Sequence, residues 1–242
     1  MRYFIEVSYK GTRYAGFQTQ KNANTIQAEM ERALSVYFRS EFSLTGSSRT
    51  DAGVHALQNY FHFDTVAALP GAADDRYHLN AILPDDITVK QICQVKNERH
   101  CRFDAVSREY RYFIYAQKDP FLQERAYLFP YPLSIVLLQR AAEEIKNHTE
   151  FSSFSKRNSQ VKSYVCEIME SEWIQEKDHL FYRVKANRFL RGMVRGLVGT
   201  MLRVGRGTTT IDEFQGIIES HDNRKVDFST PACGLFLFSV NY

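Results

Sequence analysis

The chain has 242 residues, a formal net charge of +3, and is 44% hydrophobic and 14% aromatic. That length supports one large domain or two small ones with a real core, and no apolar run approaches the roughly 20 residues of a transmembrane helix. So small a net charge neither demands nor excludes a nucleic-acid partner, and the placement of the charges matters more than their sum.

Residues 2–9 alternate Tyr3, Ile5, Val7 and Tyr9 with Phe4, Glu6 and Ser8, the period of a strand that starts with no signal-peptide pattern before it. A polar loop, 10–21, leads to a helix expected from Asn24, with Asn24 as N-cap and Gln27 three residues on. Its apolar face is Ile26, Met30, Ala33, Leu34 and Tyr37. A strand over 42–48, a loop, a strand over 58–65, a weak helix over 74–82 and a strand over 87–95 complete a βαββαβ series. The second half repeats it. A strand spans 109–116, Pro132 and Leu133 open a helix to about 147, and strands over 162–174 and 179–187 are separated by the polar residues 175–178. A helix from Arg188, a short helix over 211–219 and a strand over 234–240 follow. The pattern predicts an α+β fold of two ferredoxin-like βαββαβ halves with mostly antiparallel sheet, divided as 1–104 and 105–242.

Four cysteines, at 93, 101, 166 and 233, form no Cys-x-x-Cys pair and meet no paired histidine spacing. This argues against a zinc site and against a disulfide framework, so reduced cytoplasmic thiols are expected. Cys93 and Cys166 fall in apolar runs and read as small core residues.

Three stretches carry chemistry. In Gly46–Ala56 two glycines bracket Asp51, and Arg49 and Asp51, two apart, leave an extended backbone on the same side. Composition alone permits an Asx-type turn at Asp51 with Arg49 merely on the surface. In 188–203, Phe189, Leu190, Met193, Val194, Leu197, Val198, Met201 and Leu202 form an apolar stripe opposite Arg188, Arg191, Arg195 and Arg203. A core helix with a solvated basic back fits that pattern. An all-arginine back also suits phosphates or an apposed carboxylate. The strand Arg108-Glu109-Tyr110-Arg111-Tyr112 is aromatic-rich, as strands and cores are.

The nine residues Ser48-Arg49-Thr50-Asp51-Ala52-Gly53-Val54-His55-Ala56 are similar to the signature of TruA-type tRNA pseudouridine synthases. Phe189-Leu190-Arg191-Gly192-Met193-Val194-Arg195 resembles the family's second block and Arg108–Tyr112 its third; the entry strand and the ending Pro231–Leu235 extend the likeness over the whole chain. The resemblance implies the pseudouridine synthase fold, with Asp51 catalytic, Arg195 paired with it, and Tyr110 stacking on or deprotonating the target base. It further implies substrate contacts from Arg49, Arg191, Leu235 and His55, with His55 divided between bracing the loop and touching RNA. No metal or other cofactor is implied. The partners implied are the anticodon arm of tRNA, at uridines 38, 39 and 40, and a second copy of the chain as a homodimer, with no membrane. Lys10 and Phe17 depart from the family's usual Asp and Trp. Two rival readings are a non-catalytic RNA-binding protein of paired RRM-like halves, which lacks the glycines of the RNP1 pattern, and a hydrolase, which lacks a second carboxylate near the motif.

Overall fold

Strand β1 (Arg2–Tyr9) pairs antiparallel with β3 (His55–Asp64) on one side and β4 (Ile87–Val95) on the other. The short β2 (Thr45–Gly46) adds to β3, giving the ferredoxin-like order β4-β1-β3-β2 expected of the first half. Its helices are α1 (Ile26–Phe38) and α2 (Ala72–Ile82). A chain of rings runs from Phe38 of α1 through Phe42 and Phe63 to Tyr3, so the face of Tyr3, Ile5 and Val7 is the one the helices cover. The structure is a computed structural model that describes residues 1–66, 68–69, 71–156, 161–176 and 179–242; residues 177–178 of the expected polar connection lie outside that set.

Strand β3 starts at His55 and not 58, and α2 at Ala72 and not 74; two further boundaries differ from the sequence reading for a visible reason. Thr25 caps α1, its hydroxyl accepting from Ala28 N–H at 3.3 Å, because the Asn24 carbonyl is taken by Ala15 N–H at 2.9 Å. The expected strand over 42–48 pairs only at Thr45 and Gly46. Leu44 has its N–H on Glu31 (3.0 Å) and its carbonyl on Gln27 (2.9 Å), so side chains of α1 satisfy backbone groups that a neighbouring strand otherwise would.

The second series is built on β5 (Ser107–Tyr115), which pairs antiparallel with β8 (His179–Ala186), itself paired with β7 (Ile168–Glu176). A two-residue strand, β6 (Tyr127–Leu128), unforeseen in the sequence, runs parallel to β5. Tyr112, Tyr182 and Trp173 lie in register across the three long strands. Ser171 Oγ on this face donates to Ala142 O of α3 (Ile135–Ile145) at 2.8 Å, and Trp173 Nε1 reaches Met201 Sδ of α4 (Met193–Gly205) at 3.5 Å. Helices α3 and α4 therefore cover it. The opposite face carries ion pairs, Arg111 with Glu109 and Lys185 and Arg183 with Glu170, around Phe113 and Phe181. Helix α5 (Ile211–Glu219) starts with a capping box between Thr210 and Glu213, and β9 (Leu235–Asn241) ends the chain.

Helix α4 begins at Met193, not Arg188. Gly192 sits at φ 75°, a left-handed conformation that favours glycine, and Leu190 O accepts Met193 N–H at 3.1 Å. Arg188 and Arg191 thus precede the helix, and the supposed four-arginine stripe does not exist as a helix face. Nor is there a solvated back, since every residue of α4 except Arg195 and Arg203 is buried. A Cβ on Gly199 would stand 2.3 Å from Asp227 O, so the chain around 226–228 packs directly on helix backbone.

Contacts group Met1–Val106 with Leu237–Tyr242, and Ser107–Phe236 as a second unit. None of the four cysteines is in a disulfide among the described residues; Cys166 is buried as expected, whereas Cys93 is only half-buried. Among the described residues no helix is long and apolar enough to cross a membrane.

Candidate active site

The residues 47–54 leave β2 and return into β3 as a loop fixed mainly through its backbone. Ser47 N–H continues the ladder, donating to Tyr60 O at 2.7 Å. Asn59, on the covered face of β3, donates from Nδ2 to Ser48 O at 2.9 Å and to Tyr9 Oη at 3.1 Å. Tyr9 Oη is 2.8 Å from Thr50 Oγ1. Thr50 O accepts Phe17 N–H at 3.0 Å, and Asp51 O accepts Val54 N–H at 3.2 Å, closing the turn through Gly53 at φ 77°. Ser48 and Thr50 point inward and are buried, while Arg49 between them is exposed and Asp51 half-exposed.

The entry loop supports this one from the side. Gly11 N–H donates to His55 Nδ1 at 3.0 Å, and His55 is 1% exposed. Of the two roles open to His55, that burial favours bracing. Gly53 N–H reaches Tyr14 O at 3.4 Å, and Tyr14 Oη donates to Asp86 at 2.5 Å beside Arg13 Nε at 2.6 Å. Burial by itself raises the Asp86 carboxyl, but the hydrogen bonds from Arg13 and Tyr14 outweigh it and hold the group below the usual carboxylate range. Phe17, one of the two departures, is buried and stacks on Phe61 at 4.5 Å, so it supports the loop from inside rather than facing a ligand.

In the second unit Tyr110 stands opposite Val184 in the sheet with its ring edge-on to Phe189 at 5.0 Å and 83°. Arg195, in the first turn of α4, donates from Nε to Thr230 O at 2.7 Å, and Thr230 Oγ1 returns a bond to Arg195 O at 2.8 Å. Tyr112 Oη donates to Pro231 O at 2.7 Å, which fixes the segment leading to Leu235. Leu235 is buried and Arg191 is exposed. Arg49 and Asp51 thus share one loop of the first unit and His55 opens the strand after it, while Tyr110, Arg191, Arg195 and Leu235 belong to the second unit.

A family model described as tRNA pseudouridine synthase matches residues 5–104 and 141–242. Over 242 residues the chain is 41% identical to tRNA pseudouridine synthase A of Bacteroides fragilis, covering 100% of this chain and 96% of that one. It is 42% identical to the protein of that name in Parabacteroides distasonis over 241 residues (100% and 96% covered) and 37% to that of Staphylococcus aureus over 242 residues (99% and 91%). The chain belongs to the tRNA pseudouridine synthase family. The matched blocks contain Asp51 and Arg195, while Tyr110 falls in the interval between them.

The sequence reading of this family member missed Tyr9, Asn59 and Thr230. The available signal was Asn59 itself, a polar residue in phase with the inward Phe61 and Phe63. It also missed that His62, His100 and Cys101 bring ligand-type atoms within 4.8 Å of one another. The fit to a metal is poor. His100 Nδ1 accepts Arg102 and Phe103 N–H (3.1 and 3.3 Å), His62 Nδ1 lies 3.1 Å from Cys101 Sγ, and Cys101 Sγ donates to Thr45 O at 3.1 Å. The Arg2 charge acts on the same group of atoms.

Burial, then the charges of Arg2 and His100, push His62 from its ordinary 6.5 down to about 4, against the smaller pull of Asp64 and Asp104. The folded ring stays neutral where an unfolded chain takes up a proton. Stability is therefore fully present above about pH 6.5 and lost as the pH falls to about 4. In urea titrations, His62→Gln is expected to flatten the loss across that window; an unchanged slope contradicts the assignment.

Proposed function

We propose that this chain isomerises uridine to pseudouridine in tRNA, with Asp51 as the catalytic carboxylate. The observation that carries the reading is the Asp51 loop. A run typical of the family is held by buried partners in a way that sends Arg49 outward and leaves Asp51 half-exposed. The reaction breaks the N1–C1′ bond, turns the uracil and rejoins it through C5, so N1 gains a proton and C5 loses one. Product and substrate are isomers, and no electrons leave the substrate.

Asp51 acts either as a nucleophile, at C1′ or C6, or as a base that stabilises and deprotonates the sugar as the uracil departs. Both roles need it ionised, and Arg195 is proposed as the cation that keeps it so. Tyr110 covers the base and takes part in removing the C5 proton. Arg49 fills the space left when the target nucleotide swings out of its stack, a step costing a few kcal/mol that phosphate contacts offset. Arg191 and Leu235 contact the substrate, and His55 holds the loop. The substrate is the anticodon arm, at uridines 38, 39 and 40.

Release of tritium from C5-labelled uridine in tRNA tests the activity. Catalytic release supports the enzyme; stoichiometric binding without release leaves an RNA-binding protein. That alternative needs sheet aromatics open for stacking, and the face of β5, β7 and β8 opposite α3 and α4 sets paired Arg, Lys and Glu around half-buried Phe113 and buried Phe181.

A homodimer is proposed as the working form. A 28.1 kDa subunit with a net charge of +3 has little field with which to hold a large polyanion, and a second copy doubles the basic surface. Sedimentation at micromolar concentration is expected to give twice the chain mass; an active preparation that stays monomeric with tRNA bound contradicts it.

A further inference from the structure

One buried chain of hydrogen bonds grips the residues on both sides of Arg49. Asn59 is 0% exposed, Tyr9 5% and Thr50 7%. Asn59 Oδ1 accepts the N–H of Tyr60 at 2.9 Å, which sets the amide orientation and turns both Nδ2 hydrogens toward Tyr9 Oη and Ser48 O. With Tyr9 Oη accepting from Asn59, its own hydrogen is available for Thr50 Oγ1 at 2.8 Å. Asn59 thus donates to Tyr9, and between the Tyr9 and Thr50 hydroxyls either can donate.

A register shift makes this reach possible. Val7 pairs with Asn59 and Tyr9 with Ala56, so β1 advances two residues while β3 advances three. A bulge of this kind re-aims side chains near its site, and here the Tyr9 hydroxyl meets the loop beyond the end of the regular pairing. Ser48 is held through its carbonyl and Thr50 through its side chain, while the Ser47 and Ser48 hydroxyls are buried without a hydrogen-bond partner. Locking 48 and 50 inward leaves 49 and 51 to leave the backbone on the other side.

We propose that Asn59 and Tyr9 are positioning residues that set the direction of Arg49 and Asp51, acting through Ser48 and Thr50 without touching substrate. The inference rests on the assignment of Asp51 above. Small misplacements of a reacting group are costly, up to about 100-fold per ångström, so the links bear on rate rather than on binding. Asn59, Tyr9 and Thr50 are buried, so tRNA affinity is expected to survive the loss of their links.

The test is single-turnover tritium release and tRNA affinity, both measured well below the unfolding temperature, for Tyr9→Phe, Asn59→Leu, Thr50→Val and the double variant Tyr9→Phe with Thr50→Val. Met30→Ala, at a buried position in α1 outside the hydrogen-bond chain, serves as a control for lost stability. Tyr9→Phe keeps the ring and removes only the hydroxyl; its expected loss is about ten-fold in rate, with affinity within about two-fold. Asn59→Leu loses both links and is expected to be slower still. The double variant is expected to be no slower than the worse of its two parents, since both remove the same link.

A wild-type rate in Tyr9→Phe overturns the inference even if Asn59→Leu fails to fold. A rate loss in Met30→Ala equal to that of Tyr9→Phe overturns it as well, by reducing the network to general stability. Asp51→Asn run alongside separates the two layers. If it is active, the assignment of Asp51 has failed; if it is inactive while Tyr9→Phe is wild type, only the positioning role has failed.

Discussion

Asp51→Asn is expected to lose tritium release by at least about 1,000-fold while the protein stays folded and still binds tRNA. The substitution keeps the backbone bond that closes the turn, in which the Asp51 carbonyl accepts from Val54 N–H. The scaffold beneath, Asn59, Tyr9 and Thr50, does not use the carboxylate in its hydrogen bonds to one another. An aspartate that merely ended a turn would cost about 1 kcal/mol of stability when replaced and leave the rate nearly intact. Asp51→Ala is expected to match Asp51→Asn, since both remove the ionisable group. Residual activity within about ten-fold of wild type in either variant removes Asp51 from the chemistry.

Arg195→Ala is expected to harm the rate more than Arg203→Ala, although both arginines lie on α4. Arg203 Nη1 reaches Lys225 O at 3.3 Å, and nothing in the chemistry is assigned to it. Arg195 has its Nε fixed on Thr230 O at 2.7 Å and its own carbonyl bonded by the Thr230 hydroxyl, so its guanidinium is held in a set direction rather than swinging freely. Arg195→Lys recovers part of the loss at most, because an ammonium keeps the charge but not the planar fork. Single-turnover rates for the alanine variants of Arg188, Arg191, Arg195 and Arg203 decide the matter. Equal losses at all four turn the group into a general phosphate track. A greater loss at Arg191 than at Arg195 moves the partnership with Asp51 to Arg191.

The regular elements were legible where a strand-like run or a helical apolar period carries through the whole element. Strand β4 has the bounds read from its alternation, as does α5 from its short apolar period, and β1 follows Tyr3, Ile5, Val7 and Tyr9 without a break. The loop that holds Asp51 was legible as a loop because a contiguous run carries it. What failed was inference from periodicity where packing comes from elsewhere in the chain. The apolar run through Phe189 and Leu190 looks helical, yet Gly192 turns the backbone left-handed and starts α4 later. The glycines at 196 and 199 were the overlooked sign that Val226 to Phe228 lie against that helix. Strand β2 is short because Glu31 and Gln27 of α1 compete for the backbone of Leu44, a contest between segments that no local pattern records. The Tyr9–Asn59–Thr50 chain depends on a bulge, which shifts the register by one residue and is invisible before the strands are paired.

The most direct measurement of the central claim is a pseudouridine map of tRNA from a strain lacking this protein, complemented with wild type or with Asp51→Asn. The account predicts that pseudouridine disappears from the anticodon arm in the deletion, returns with the wild-type chain, and does not return with Asp51→Asn. An unchanged map in the deletion strain, or restoration by Asp51→Asn, would contradict it.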